Sequence, residues 1–442
     1  MQNFNTLIYA PWIIPVIPEN QILENHCLAI HQGRIVDCLP RAHAEVRYQN
    51  AHLIELTQHA LIPGLVNTHT HSPMSLLRGL ADDLPLMEWL EGYIWPAESK
   101  WVSETFVRDG ALLAIAEMLR GGITCFNDMY FFPEIVAQVA AKVGMRAVIG
   151  MIVIDFPSSW AKTSEDYIRK GLELNDQYRA HPLIKTAFAP HAPYTVSDGP
   201  LKQVATLAKE LNIPVHMHLH ETAEEVNRGL AQYGVRPLER LQRLGLLSSQ
   251  LLAVHMTQLT DQEIQTLAAS SAHVIHCPES NLKLASGFCP VAKLYQAGVN
   301  IALGTDGAAS NNDLDMFVEM RLAALLAKAL AGDASAIPAN QALRMATLNG
   351  AKALGLEQEI GSLEIGKVAD IVAVNLGELE TQPLYDPTSQ LVYTAGRDRV
   401  SDVWIAGQQV LKKRQFTTLD ESLILSQTQA WAERIQEARK PI

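Results

Sequence analysis

Between about residue 61 and residue 306 the chain alternates short apolar runs with longer stretches patterned at helical spacing. That alternation limits the fold more than any other feature of the sequence. The apolar runs fall at 61–71, 123–129, 145–154, 184–191, 214–219, 251–256, 272–277 and 299–306. Residues 103–120 are apolar at helical spacing and stop at Gly121-Gly122, and residues 133–143 open on Pro133 and close at Gly144, as helices do. Ser197 is placed to N-cap a helix running to about Leu211. Eight strand–helix alternations predict a (β/α)8 barrel.

Both ends of the chain have a different texture. Short strands are expected at 6–9 and 27–30, with Gln32-Gly33-Arg34 turning the chain before 35–36. Strands are again expected at 369–374 and 400–405, with residues 406–409 as a hairpin turn. One small sheet domain built from both termini follows, dividing the chain at 1–58, 59–368 and 369–442, with an amphipathic terminal helix from about Glu421. A net charge of −12 argues against a nucleic-acid-binding face, because a phosphate backbone selects basic surfaces. The cysteines, Cys27, Cys38, Cys125, Cys277 and Cys289, are odd in number and form no CxxC pair, which suits free thiols in a reducing cytoplasm. The first residues lack a basic segment, and Pro11, Pro15 and Pro18 break their apolar run, so no secretory leader is expected. No apolar stretch reaches the roughly 18 residues of a membrane span.

Chemistry-bearing side chains gather at the ends of the apolar runs. His69 and His71 close the first, and strand residues i and i+2 share a face, so both imidazoles can enter the barrel. His216, His218 and His220 share parity at the end of the fifth. His255 closes the sixth and Asp306 the eighth. Barrel active sites form at the C-terminal strand ends, so these groups should face a common point. Three imidazoles and a carboxylate can hold one divalent metal, with Glu221 beside it to move protons, a combination that points to metal-assisted hydrolysis. Each piece alone has a plainer explanation: a His-x-His is commonly structural, Glu221 a solvated loop carboxylate, Thr305-Asp306-Gly307 an ordinary turn. Their ordered recurrence at strand ends favours the metal.

The segments from Pro63-Gly64 to His69-Thr70-His71, His218-Leu219-His220-Glu221-Thr222, His276-Cys277-Pro278-Glu279-Ser280-Asn281 and Gly304-Thr305-Asp306-Gly307 resemble the amidohydrolase superfamily. More narrowly, they resemble its 5'-methylthioadenosine/S-adenosylhomocysteine deaminases, relatives of triazine hydrolases such as N-ethylammeline and atrazine chlorohydrolase. The similarity covers nearly the whole chain, including the segment 361–370 that leads back into the terminal sheet. It implies an amidohydrolase-type (β/α)8 barrel with a small β-sandwich. The implied metal ligands are His69, His71, His218 (the histidine three residues before the glutamate) and Asp306, around one Zn²⁺ per subunit. Fe²⁺ and Mn²⁺ are compatible with the same donors. His191 stands where dinuclear members carry a carboxylated lysine, so a mononuclear site is expected.

The resemblance also implies roles. Asp306 would take a proton from the attacking water and His255 would hold that water in line. Glu221 would protonate a ring nitrogen of the substrate and then the leaving amine. Glu98 would bind ribose hydroxyls and His191 the substrate. Residues 72–79 would form pocket wall and lid. Arg146 is the nearest match for an arginine on the amino-acid carboxylate of S-adenosylhomocysteine, although it begins the third strand, far from the rim. The implied reaction is deamination of 5'-methylthioadenosine, S-adenosylhomocysteine or adenosine. Hydrolysis of a triazine or a free base such as guanine is the alternative, and a non-catalytic scaffold is disfavoured because every ligand is kept. A small-molecule nucleoside is the expected partner, with no nucleic acid and no membrane, in a homo-oligomer. Plainer expectations remain for other residues. His276 and Cys277 should pack, Ser310, Asn311 and Asn312 should fix the loop after Asp306, and Glu224-Glu225 should be solvated. Trp89 and Trp95 should either line an apolar pocket or anchor a helix.

Overall fold

The computed structural model describes residues 6–438, and the chain divides into two compact units. One holds the chain up to Asn67, Met118–Cys125 and Asp315–Thr418. The other holds Thr68–Glu117, Phe126–Leu314 and the chain from Leu419 onward. The outermost residues of the expected terminal segments, 1–5 and 439–442, lie outside the described residues.

Eight strands form one sheet in chain order: β1 (Leu65–Thr70), β2 (Ile123–Met129), β3 (Arg146–Val153), β4 (Ile184–Pro190), β5 (Val215–Leu219), β6 (Leu251–His255), β7 (His273–His276) and β8 (Asn300–Leu303). The pairings from β3 to β8 are parallel, and these strands are almost wholly buried, as expected where helices cover the outer face. The end of β8 returns to β1 through two bonds. Thr68 Oγ1 donates to the Leu303 carbonyl at 2.7 Å, and the Asp306 N–H donates to the His69 carbonyl at 3.0 Å. Gly304 permits that approach, because a Cβ there would stand 2.7 Å from the Cβ of His69. The expected (β/α)8 barrel is therefore present, nearly closed.

A second, nine-stranded sheet is built from both ends of the chain. Strand His59–Pro63 joins them, pairing antiparallel with Ile371–Asn375 and parallel with Thr6–Ile13. The apolar run at 61–71, expected as one strand, is thus two. Its first residues belong to this terminal sheet, and β1 begins at Leu65 after a break at Gly64. A Cβ on Gly64 would overlap the Thr124 hydroxyl at 1.9 Å, a long-range contact with no local signature. The turns at Gln32-Gly33 and Ala406-Gly407 have left-handed backbones at both positions, as two-residue hairpins require.

Helix boundaries follow their chemistry. Helix Pro133–Val143 starts on its proline and ends at Gly144 with φ +85°. Helix Asp198–Leu211 does begin after Ser197, but the serine side chain makes no cap; its N–H instead donates to Asp155 Oδ2 at 2.7 Å. The stretch Leu86–Trp89, Leu90–Ile94 and Trp95–Trp101 is one continuous helical arm with a π-turn in its middle, a local widening frequent near functional sites. The terminal helix Glu421–Glu437 packs through Trp431, whose indole N–H donates to the buried Asp109 at 2.8 Å and whose ring meets Phe106 and Trp101 edge-on. Among the described residues no helix is long and apolar enough to cross a membrane.

Candidate metal centre and active site

The C-terminal ends of β1, β5 and β8 bring His69, His71, His218 and Asp306 together, with no two of their ligand atoms more than 4.8 Å apart. His71 Nε2 lies 3.2 Å from His218 Nε2, which lies 3.2 Å from His69 Nε2, and Asp306 Oδ1 lies 3.3 Å from both His69 Nε2 and His71 Nε2. In a tetrahedral sphere with bonds of about 2.0–2.2 Å neighbouring ligand atoms stand roughly 3.3–3.6 Å apart, so these separations are close to those of a coordination sphere.

The outer nitrogens explain why the inner ones face each other. His71 Nδ1 pairs with the Met129 carbonyl at 2.6 Å, His218 Nδ1 with the His191 carbonyl at 2.7 Å, and His69 Nδ1 with His216 Nε2 at 2.8 Å. A carbonyl can only accept, so Nδ1 carries the proton in His71 and His218, and their Nε2 lone pairs point into the ring. His69 completes the set when it donates to His216, the arrangement common for metal-bound histidines. Inward lone pairs beside a carboxylate repel one another unless a positive charge sits among them. Without an ion among them, a proton on His71 takes its place. Burial lowers His71, but the bond and charge of Asp306 outweigh that and lift it to about 9. Burial holds His69 down at about 4, and His69 and His71 hold Asp306 well below the carboxylate range against burial. The ring is built to surround one cation, and its donors fit a divalent metal.

Asp306 is fixed on both oxygens: the Gly307 N–H donates to Oδ1 at 2.7 Å and Ser280 Oγ to Oδ2 at 2.7 Å. Next to Ser280, Asn281 Oδ1 pairs with His255 Nδ1 at 2.9 Å, turning His255 Nε2 toward Glu221 Oε2, 3.7 Å away. Burial raises the Glu221 carboxyl, which favours the protonated form that can donate. Non-glycine residues adopt left-handed backbones at three strand ends: His220 (φ +52°), His255 (φ +75°) and Asp306 (φ +64°). Such conformations persist only where surrounding bonds enforce them, and they recur at active sites.

One cavity of about 500 Å³ opens over the ring. His71, His191, His218, Glu221, His255 and Asp306 line its floor, and Glu98, from the helical arm, lines its wall. Desolvation pushes the Glu98 carboxyl up to about 7, against the neighbouring Tyr130 hydroxyl and His71. Burial pushes His191 down to about 3, so it is neutral, with Nδ1 paired to Thr195 Oγ1 at 3.1 Å. Trp89 and Trp95 both line the cavity, and the Trp89 indole N–H also anchors its helix by donating to the Ala81 carbonyl at 3.2 Å. Of residues 72–79 only Met74 reaches it.

Some expectations are corrected. Arg146 sits at the opposite, N-terminal end of β3, where its guanidinium donates to the Pro182 carbonyl, and it does not line the cavity. The cation that does is Lys162. Glu225 is not solvated but 5% exposed, and it binds the backbone of His220 and Glu221, while Glu224 remains exposed. Asn311 and Ser310 do brace the loop after Asp306, bonding the Thr305 and Gly307 carbonyls, but Asn312 turns outward to Asp82 and Lys283. Sequence reasoning gave no role to His216 beyond a rejected ligand, nor to Ser280 and Asn281 within their motif. They bond His69, Asp306 and His255 respectively.

A parallel barrel with a three-histidine, one-aspartate ring at its C-terminal rim defines a metal-dependent hydrolase. Residues 60–410 match the amidohydrolase family, and the chain belongs to that family. It is 51% identical to the 5-methylthioadenosine/S-adenosylhomocysteine deaminase of Teredinibacter turnerae, covering 99% of this chain and all of that protein. It is 50% identical to the enzyme of the same name from Saccharophagus degradans, over 98% and 97% of the two chains. A crystal structure of an adenosine deaminase from Xanthomonas campestris with bound zinc superposes with a TM-score of 0.97 at 54% identity, over 98% and 99%. An atrazine chlorohydrolase from Arthrobacter aurescens shares the fold at 23% identity, with a TM-score of 0.89 over 96% and 99%.

Proposed function

We propose that this enzyme hydrolytically deaminates the adenine ring of 5'-methylthioadenosine and related adenine nucleosides, with zinc as the metal. The observation that carries the proposal is a single cavity that has three members of the ligand ring (His71, His218 and Asp306), Glu221 and His255 at its floor and Glu98 on its wall. The names of the relatives and the zinc of the Xanthomonas structure support the substrate class and the ion.

His69, His71, His218 and Asp306 hold the metal, which when bound supplies Lewis-acid activation of water. Asp306 accepts the proton released from that water. His255, held by Asn281, keeps the water in line with C6 of the ring. Glu221 donates its proton to a ring nitrogen, which makes C6 electrophilic, then takes the proton remaining on the attacking oxygen and carries it to the departing amine, and the proton held by Asp306 restores the Glu221 acid. A C6–O bond forms, the C6–N bond breaks, and the products are ammonia and a hypoxanthine ring. Glu98 accepts hydrogen bonds from the ribose hydroxyls, and neutral His191 borders the base. Five cysteines that form no disulfide support a reducing, cytoplasmic setting. A homo-oligomer, suggested by the family resemblance, is tested by sedimentation velocity.

Ammonia release from adenine nucleosides, guanine, cytosine and aminotriazines by zinc-loaded protein tests the proposal. Turnover of free bases or triazines with none of the nucleosides would overturn it. Glu98 supplies the sharper test. As an acceptor for two hydroxyls it must be ionised, and its carboxyl is raised to about 7, so KM for a nucleoside is expected to rise as pH falls through that value. Glu98→Gln should raise KM at every pH and flatten this dependence. An unchanged KM would rule out the ribose contact.

The cavity walls also support an order of preference among the nucleosides. Its outer walls are Ile94, Trp95, Phe131, Ile152, Ile154 and Phe156, which suit a thioether. Lys162 is the one lysine or arginine among the described lining residues, against the carboxylates of Glu98, Glu221 and Asp306, and its ammonium already donates to the Ser158 carbonyl. The amino-acid carboxylate of S-adenosylhomocysteine thus finds a single, shared partner. Its kcat/KM is expected to fall about tenfold or more below that of 5'-methylthioadenosine, a gap of roughly 1.4 kcal/mol. Lys162→Ala should widen the gap by affecting S-adenosylhomocysteine alone. Equal or reversed preference in the unaltered enzyme would contradict this account of the walls.

A further inference from the structure

We propose that Glu225 is a positioning residue that fixes the backbone from which Glu221 delivers its proton. This rests on the role given to Glu221 above. Glu225 does not line the main cavity, whereas Glu221 does. Its two carboxylate oxygens take two consecutive backbone donors: the His220 N–H on Oε1 at 2.9 Å and the Glu221 N–H on Oε2 at 2.8 Å.

The placement departs from the local rule. Thr222 N-caps helix Ala223–Tyr233, and its hydroxyl accepts the Glu225 N–H at 3.2 Å, so Thr222-x-x-Glu225 has the form of a capping box. In such a box the glutamate bonds the N–H of the cap residue itself. Thr260 and Glu263 do so in this same chain, with the Thr260 N–H donating to Glu263 Oε2 at 2.9 Å. Glu225 instead reaches one and two residues further back, onto the turn that carries Glu221. The N-terminus of its own helix does not require that reach; the turn does. His220 has φ +52°, a conformation that a non-glycine residue keeps only under constraint.

The opposite face of the same turn is held from the end of β6. Thr257 Oγ1 donates to the Glu221 carbonyl at 2.6 Å, and the Thr257 N–H donates to the His220 carbonyl at 3.0 Å. Glu221 is therefore gripped at its N–H by Glu225 and at its carbonyl by Thr257, two residues beyond His255. Its backbone is a fixed pivot, and only its side-chain torsions remain free to carry a proton from one acceptor to another.

The test is a double-mutant cycle of Glu225→Gln with Glu221→Gln, using whichever ring substrate the unaltered enzyme turns over. Glutamine keeps the volume but offers one acceptor and sets an NH2 against a backbone N–H. Glu225→Gln alone is expected to lower kcat by about 100-fold, the scale of a misplaced catalytic group, with KM and metal content unchanged. In the Glu221→Gln background it should cost nothing further, because the residue it serves is already disabled. If Glu225→Gln does not fold, Thr257→Val removes the grip on the carbonyl side and should show the same non-additivity. Losses that multiply, or a variant with full kcat but reduced metal content or melting temperature, would overturn the proposal. An enzyme that turned over only bases or triazines would overturn the nucleoside assignment and still allow the cycle to be read.

Discussion

Replacing Glu221 by Gln is expected to lower kcat about a thousandfold, the middle of the range for a group that transfers protons in the transition state. The amide keeps the shape and can still donate a hydrogen bond to a ring nitrogen, so KM should move little. It has no proton to give up, so the amine cannot leave as ammonia. The side chain is 5% exposed and burial raises its carboxyl, which favours the acid form that donates. Metal content should be unaffected, because Glu221 is not a member of the ring. Retention of more than about a tenth of kcat in steady-state ammonia release would remove Glu221 from the mechanism.

Metal removal has the second large effect, and it reaches stability as well as activity. With the cation gone, inward-facing nitrogens and a buried carboxylate are left against one another. A ligand at a thousand times its dissociation constant stabilises the folded state by about 4 kcal/mol. For a protein of this size that corresponds to a fall of roughly 4–6 °C in melting temperature on chelation. Activity should vanish and return with zinc, iron or manganese in proportion to the metal restored. An apo-protein with the same melting temperature as the loaded one would mean that the ring holds nothing.

What the sequence made legible was whatever repeats or stands at a boundary. The eight apolar runs, His69 and His71 two apart, and His255 and Asp306 at strand ends were all visible, because strand parity and barrel geometry are local rules applied eight times. The terminal sheet was visible through its turns at Gly33 and Gly407. Choosing His218 over His216 was not a matter of parity. In the structure His216 is the partner of His69 Nδ1, at 2.8 Å, while His218 turns its Nε2 inward. The split of the run 61–71 at Gly64 depends on Thr124, sixty residues away in sequence, and no periodicity encodes it. Glu225 was hidden by a pattern that has a common local use, an acidic pair in the first turn of a helix. Its actual partners are the N–H groups of a left-handed turn that the sequence does not announce. The arm that carries Glu98 mixes α- and π-turns, so its apolar residues follow no single period, and which of its tryptophans faced the cavity could not be derived from spacing.

The central claim is that one divalent ion sits among side chains delivered by three separated strands. Elemental analysis of the purified protein, with the metal counted per chain in the unaltered enzyme and in His218→Ala, tests it most directly. The account predicts close to one equivalent in the first and a small fraction of that in the second. Two equivalents, none, or an undiminished count after loss of His218 would contradict it.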